Sequence, residues 1–388
     1  MSVHSERPVT TAGAAMLWTL AMAYRRCWMN GQAVVCTDHV LSELGRRLPS
    51  LKEQLAPLAS LIADRVGHGW LGDDEPPATA PTAMEADLEA SAILREAGWR
   101  AREPRLRSGP AVPPTWSAAV WEVTRSAIDD AQSVGVAHAH AMHLLPGILA
   151  DPGYRSRRLL DAVGLDAERV MASMPVGVSV RASGEPIDGA VKGLRLLGVL
   201  DSTLPAPVRM VGSLLRAARP RSEGPVLFVV AQEAVREAVR LGVTEVGPEH
   251  LLLGITSVQD QLRDVGERFR PELVPTNNAA ALLARWGIDS PSLLLRLART
   301  AASDGPGLRA RVDDPPWSAS VTNAVNRAKR YGTDTRSRWP GTSHLLLALL
   351  TAEAGATRRL LRSMDVDVDK LGEEAARDLG HRDPTVGS

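Results

Sequence analysis

The sequence predicts an all-α protein built from four repeats, and three observations predict it. First, a small residue, a second one four positions on and a Gly four positions later recur as Ala23/Cys27/Gly31, Ala127/Ala131/Gly135, Ala234/Ala238/Gly242 and Ala324/Ala328/Gly332. Second, each is followed by a His and aliphatic residues, at His39, His143, His250 and His344; the Gly-to-His step is eight residues in three repeats and twelve in the fourth. Third, an aliphatic pair precedes a helix stop: Ile93-Leu94 before Gly98, Leu159-Leu160 before Gly164, Leu282-Leu283 before Gly287 and Leu360-Leu361 before Asp365. Self-similarity of this kind is the signature of a repeat architecture, and no segment shows a convincing strand pattern.

In the first element of each repeat, residues four apart lie above one another on one helix face. In the second repeat Val120, Val123, Ala127 and Ala131 form the buried stripe, and the small side chains let another helix approach closely. Gly31, Gly135, Gly242 and Gly332 are expected to end these helices in the left-handed conformation that Gly adopts most cheaply. A second helix starts at each His. Thr37-Asp38-His39 and Gly341-Thr342-Ser343-His344 carry N-cap groups, and Pro248-Glu249-His250 offers Pro in the first turn with an acid suited to the helix dipole. Leu251 to Leu253 and Leu345 to Leu347 then enter the core. A third helix carries the aliphatic pair, and a short fourth opens at Asp166, Asp289 or Asp367, giving about four helices per repeat. Trp116-Ser117-Ala118 and Trp317-Ser318-Ala319 open the second and fourth repeats as packing anchors.

Boundaries follow from these elements. Repeats at 1–100 and 115–174 make a first domain, 1–174, with an insertion from about Leu48 to Asp87 whose Pro-rich part near 71–84 is expected to be disordered. Residues 175–222 form a connecting segment with candidate helices around Ala190 to Leu200 and Pro207 to Arg219. Repeats at 223–304 and 315–380 make a second domain, 223–380, and 381–388 are a tail.

Composition narrows the function. The 45 Lys and Arg residues balance 45 Asp and Glu, so no global field draws the chain to nucleic acid or to a membrane surface. Only Lys52, Lys192, Lys329 and Lys370 are lysines, a skew that fits a high-GC coding bias. Two cysteines, Cys27 and Cys36, form no CxxC motif, and a reducing cytoplasm is the simplest home. The apolar stretch from Ala12 to Tyr24 has a signal-like Ala21-Met22-Ala23, but it also supplies the first repeat's opening helix, and Glu6 spoils a positive leader. No apolar run reaches the roughly 20 residues that span a bilayer.

The run Ala231-Gln232-Glu233-Ala234, with Leu241-Gly242 and Pro248-Glu249-His250-Leu251-Leu252-Leu253-Gly254, resembles the Clp N-terminal (Clp repeat) domain. The fourth repeat resembles it at Gly341 to Ala348, the second at Met142 to Gly147, and the first more loosely at Cys36 to Leu41. The resemblance implies two tandem double-repeat domains of the kind that binds substrates and adaptors at the front of Clp unfoldases. No lysine follows a Gly, so the P-loop that such an unfoldase needs for ATP is missing. In ClpC-type domains the Thr and acid before the His are associated with phosphorylated arginine; the acid would accept the guanidinium and the helix start would favour the phosphate. Carried over by position, those groups are Thr37, Asp38, Glu249 and Thr342, while Ala141, Met142, Pro248 and Ser343 depart from the pattern. Plain helix capping is the simpler role for all four, and the one that the residues by themselves favour.

The motif histidines fall at one helical position in separate repeats, which is what a structural role predicts. His138, His140 and His143 are denser but lack a Cys or carboxylate beside them, so no metal site is expected. No Ser/His/Asp or Cys/His grouping stands out, and neither an enzyme activity nor a cofactor is expected. The expected partners are peptides, protein clients or adaptors, with a Clp unfoldase as a further candidate. The leading function is therefore a non-catalytic binding module, acting as an adaptor, decoy or regulator of a ClpC–ClpP type protease. The alternative is sequestration of the cyclic-peptide antibiotics that target Clp N-terminal domains.

Overall fold

The computed structural model describes residues 10–47, 49–53, 55–56, 75–78, 85–101, 112–172, 189–201, 224–301, 314–352 and 355–380. They fall into two compact units, one drawn from Met1–Ile187 with Ala301–Asp314 and the other from Asp188–Thr300 with Pro315–Ser388.

The first unit holds α1 (Ala14–Met29), α2 (Thr37–Arg47), α3 (Pro49–Lys52), α4 (Glu85–Ala101), α5 (Ala118–Ser133), α6 (Leu144–Ala150), α7 (Arg155–Ala162) and α8 (Ala167–Ala172). Its core is continuous across both repeats, from Met16, Leu20, Ala23 and Cys27 of α1 to Leu144, Leu145, Leu159 and Leu160. Four two-residue strands pair in parallel: β1 (Thr11–Ala12) with β4 (His138–Ala139), and β2 (Val34–Val35) with β3 (Thr115–Trp116). The expectation of no strand is corrected to this extent. A two-residue extended step has too little length to show a period-two pattern, so nothing local announces it.

The second unit holds α9 (Gly189–Leu196), α10 (Pro225–Leu241), α11 (Pro248–Asp264), α12 (Ala279–Arg285), α13 (Ser290–Ala301), α14 (Ala319–Asp334), α15 (Thr342–Leu350), α16 (Ala356–Arg362) and α17 (Val368–Asp378). Every residue of α15 is buried, as a helix apolar all round must be. The parallel step recurs between Val246 and Trp317. Helix α9 lies inside the stretch expected to be a connector, yet it packs on α10 and α11 through Val191 and Leu194. Its Ala190 N–H donates to Gln261 Oε1 at 3.2 Å. The second candidate helix, around Pro207 to Arg219, lies outside the described residues.

The small-residue face does what its spacing predicts. A Cβ on Gly254 would stand 2.8 Å from the Val230 carbonyl oxygen and 3.1 Å from Ala234 N, so α11 crosses α10 at nearly backbone contact. Gly31, Gly135 and Gly242 all take positive φ, at 70°, 75° and 73°. In each case the next residue's N–H returns to the carbonyl five back: Gln32 to Cys27, Val136 to Ala131 and Val243 to Ala238.

In the fourth repeat this turn is displaced. Ser337 N–H bonds Gly332 O, and the residue at positive φ is Arg336, at 54°. Gly332 is thus a helical position, buried where a Cβ would meet Pro340 Cα at 3.1 Å, and not a helix end. Counted from the left-handed residue, the step to the His is eight in all four repeats. Gly164, Gly287 and Asp365 follow helix ends as expected and take positive φ, whereas Gly98 lies within α4 and ends nothing.

Among the described residues, no helix is long and apolar enough to cross a membrane.

Candidate functional site

Four helix starts share one device. The Nδ1 of each motif His accepts the backbone N–H three residues earlier: His39 from Cys36 at 3.0 Å, His143 from His140 at 2.9 Å, His250 from Gly247 at 2.8 Å and His344 from Gly341 at 3.0 Å. This is the returning half of a capping box, with His at the position that Glu or Gln usually takes. An accepting Nδ1 carries no proton, so the proton sits on Nε2, where His39 faces Gln32 Oε1 at 2.7 Å and His344 faces Thr335 Oγ1 at 2.8 Å. Burial pushes the His250 pKa below its ordinary value, against the opposing pull of Glu249.

At the start of α2 the candidate residues are already engaged. Thr37 Oγ1 donates to Glu75 Oε1 at 2.5 Å and Thr37 N–H donates to Glu75 Oε2 at 3.2 Å. Ser117 Oγ reaches Glu75 Oε2 at 2.8 Å, and Arg155 N–H reaches Oε1 at 3.0 Å. Asp38 lies 3.5 Å from Arg155 Nε, with both side chains fully buried. The expectation of Asp38 open to a ligand's guanidinium is corrected: the chain's own guanidinium stands there. The segment expected to be disordered is corrected at 75–78, where Ala118 N–H bonds Pro76 O at 2.8 Å and Ala78 N–H bonds Trp116 O at 2.9 Å. The rest of 71–84 lies outside the described residues.

The two starts in the second unit differ. At α11, Pro248 offers neither an N–H nor a hydroxyl. Glu249 curls over its own N-cap, where a Cβ on Gly247 would collide with the carboxylate, and it keeps 21% side-chain exposure. At α15, Thr342 N–H donates to Asn277 Oδ1 and Asn278 N–H donates to Ser343 Oγ, both at 3.0 Å. Among the described residues, Glu249 Oε2 and Thr342 Oγ1 are shielded from solvent yet meet no hydrogen-bond partner. Beside Thr342, a shallow cleft runs between α12, α15 and α17, lined by Asn278, Leu282, Ser343, Leu346 and Asp378. Glu249 and Thr342 begin different helices, so the two candidates stand at two starts.

Cys36, Asp38 and His39 bring ligand-type atoms within 4.8 Å of one another in the core. Their chemistry does not fit a cation: both ring nitrogens of His39 are committed, and Asp38 faces Arg155. The denser run is also committed to capping and pairing, with His140 Nδ1 accepting from Met142 N–H and His138 Nδ1 against Thr11 Oγ1.

Residues 317–388 match the family model of the Clp repeat (R) N-terminal domain. The chain carries a Clp repeat N-terminal domain. The matched residues span α14 to α17 and include the α15 start and one side of its cleft, Ser343, Leu346 and Asp378. Among solved structures, the N-terminal domain of the caseinolytic protease associated chaperone ClpD from Arabidopsis thaliana is 18% identical, over 42% of this chain and 94% of its own, with a TM-score of 0.25. No curated protein matches.

Sequence reasoning missed Glu75, Arg155 and Asn277. Glu75 sits in a Pro-rich stretch with no counterpart in the other repeats, and its donors come from 38 to 80 residues away. Asn277 lies ahead of α12, outside every repeated position used to find the helix starts.

Proposed function

We propose that the chain is a non-catalytic protein- or peptide-binding module made of two tandem double-repeat Clp N-type domains. It serves as an adaptor, decoy or regulator of a ClpC–ClpP type protease. The histidine cap and its left-handed turn, eight residues apart in all four repeats, support the double-repeat arrangement. One observation carries the binding role: Glu249 and Thr342, the two candidates in the second unit, each keep a shielded oxygen without a partner among the described residues. Leaving such groups unpaired costs about 1–3 kcal/mol each, a penalty that a ligand with matching polar groups relieves. In the first unit Thr37 and Asp38 face Glu75 and Arg155 instead.

The test is a crosslinking pull-down of the tagged full chain from its own cell lysate, read by mass spectrometry, against Glu249→Ala and Asp378→Ala variants. The expected result is enrichment of a Clp unfoldase, its adaptors or clients, reduced several-fold by either substitution. Equal recovery by all three proteins would move the contact away from these starts. Recovery of no Clp component, adaptor or client would overturn the reading and leave antibiotic sequestration to be tested by thermal shift with cyclic peptides.

A further inference from the structure

A strained backbone position in the fourth repeat is filled by an arginine. Arg336 has φ 54° at the place where Gly31, Gly135 and Gly242 turn the other repeats. A residue with a Cβ is disfavoured there, and such strain concentrates at functional sites. Residues 319–340 also hold five bases, Arg327, Lys329, Arg330, Arg336 and Arg338, against one acid, Asp334, in a chain whose charges balance overall. Arg330, Arg336 and Arg338 are exposed, and among the described residues none of them pairs with a carboxylate. Elsewhere in this unit Arg285 holds Glu374 at 2.7 Å and Arg358 holds Asp369 at 2.6 Å.

The turn that carries two of them is fixed. Thr335 Oγ1 lies 2.8 Å from His344 Nε2 and 2.9 Å from Ser337 Oγ. On the other side, a Cβ on Gly224 would stand 3.2 Å from Trp339 Cβ and 2.9 Å from Pro340 O, so the chain passes close over Gly224. Exposure alternates in step: Thr335 and Ser337 are half-buried against His344, while Arg336 and Arg338 reach solvent. The Arg338 guanidinium stacks over the Trp339 ring at 4.3 Å, which restrains it. Two guanidiniums are therefore presented two residues apart from a braced turn. An extended peptide repeats its side chains on one face every two residues, about 7 Å. Each carboxylate on that face can take a guanidinium edge through two hydrogen bonds.

We propose that the turn 335–339 is a docking point for an acidic peptide segment. Arg336 and Arg338 each take a carboxylate from alternate residues of an extended Asp- or Glu-bearing chain, and Arg330, near the end of α14, extends the positive surface. Nucleic acid fits less well. Trp339 is already stacked by the chain's own guanidinium and is no open platform for a base, and the balanced charge supplies no wider field for a phosphate backbone. The inference goes beyond the binding role proposed above: it uses neither Glu249 nor Thr342 and names no Clp component.

The experiment is fluorescence anisotropy with the full chain and a labelled synthetic peptide of alternating Glu and Ser. The same peptide with Gln for Glu, and a labelled oligothymidylate, are measured beside it. The Glu peptide is expected to bind and to be released by added salt, as screening of exposed charges requires; the Gln peptide should not bind. Arg336→Gly removes the guanidinium and relieves the strain, so it should fold at least as stably while weakening the Glu peptide several-fold. Arg338→Ala, away from the strained position, should weaken it comparably and carries the test should Arg336→Gly prove unstable. Arg336→Lys, which keeps a charge without the fork, should fall between wild type and Arg336→Gly. No binding of the Glu peptide, equal binding of the Gln peptide, or full binding by the folded variants would each overturn the proposal. Tighter binding of the oligothymidylate, lost with Arg336→Gly, would overturn it in favour of a nucleic-acid surface. Failure here leaves the pull-down result standing, because that contact is tested at Glu249 and Asp378, and the converse holds.

Discussion

The start of α2 in the first unit and the starts of α11 and α15 in the second are built on one plan and finished differently. Each has a left-handed turn eight residues before a His, and each His closes its own N-cap. Around α2 the remaining polar groups are met by a buried anion and a buried cation, Glu75 and Arg155. Around α11 and α15 they are met by a proline, a neutral amide and a half-satisfied acid. At α2 the groups that a ligand would have to reach already face the chain's own charges, whereas the starts of α11 and α15 carry no such pair.

The largest effect that could break this comparison concerns the internal charges. Arg155→Ala leaves Asp38 buried without its cation, and removing one partner of a buried pair typically costs about 3–5 kcal/mol. Hydrogen exchange over α2 and α7 should show the first unit opening, while the second unit keeps its protection. Adding Asp38→Asn should recover part of the loss. Glu249→Ala, the matching change in the second unit, removes an oxygen whose unpaired state costs about 1–3 kcal/mol, and is expected to cause no loss of stability. Similar losses from the two substitutions would erase the distinction.

The paired tryptophans sharpen it next. Trp116 is fully buried, donates Nε1–H to Leu94 O at 3.0 Å and packs 5.1 Å from the Tyr24 ring. Trp317, at the same place in the fourth repeat, is 39% exposed. Truncation to Ala should therefore cost about 3–5 kcal/mol at Trp116 and about 1 kcal/mol or less at Trp317. Chemical denaturation fitted as two transitions would read both.

The fold was legible because its determinants are local. The row of small residues, the Asp caps and the leucine turns each express one helix's chemistry: Asp367 Oδ1 accepting Lys370 N–H at 3.2 Å is visible in four residues of sequence. The candidate site was legible only in its skeleton. Thr37, Asp38, Glu249 and Thr342 stand at helix starts as expected, but what fills each start comes from distant segments such as Glu75, Arg155 and Asn277. The fourth repeat misled for a related reason. A Gly at a helical spacing reads as a stop, and only the tertiary approach of Pro340 shows why Gly332 lies inside the helix.

A smaller effect separates the units by pH. His250 has a folded pKa lowered by burial, so below its ordinary value of about 6.5 the unfolded chain binds a proton that the folded chain refuses. Stability from this group is complete above about pH 6.5 and falls as pH drops toward the folded value. The slope is at most about 1.4 kcal/mol per pH unit for one proton. Asn at this position can still cap the helix start without titrating. His250→Asn should flatten the acid limb of the second unit's unfolding curve below about pH 6.5, and an unchanged slope would remove His250 as the cause.

The smallest predicted effect tests the shared turn itself. Arg336 occupies the left-handed position that Gly31, Gly135 and Gly242 fill in the other repeats. A residue with a Cβ pays roughly 1–2 kcal/mol there, partly offset because Gly loses more chain entropy on folding. Arg336→Gly should then stabilise the fourth repeat by somewhat under about 1 kcal/mol. Gly242→Ala, forced into the same conformation without the freedom, should destabilise the third by about as much. Both are read from denaturant midpoints at constant slope. If Arg336→Gly destabilises instead, contacts of the Arg336 side chain outweigh the strain, and the fourth turn differs from its three counterparts in more than the residue that fills it.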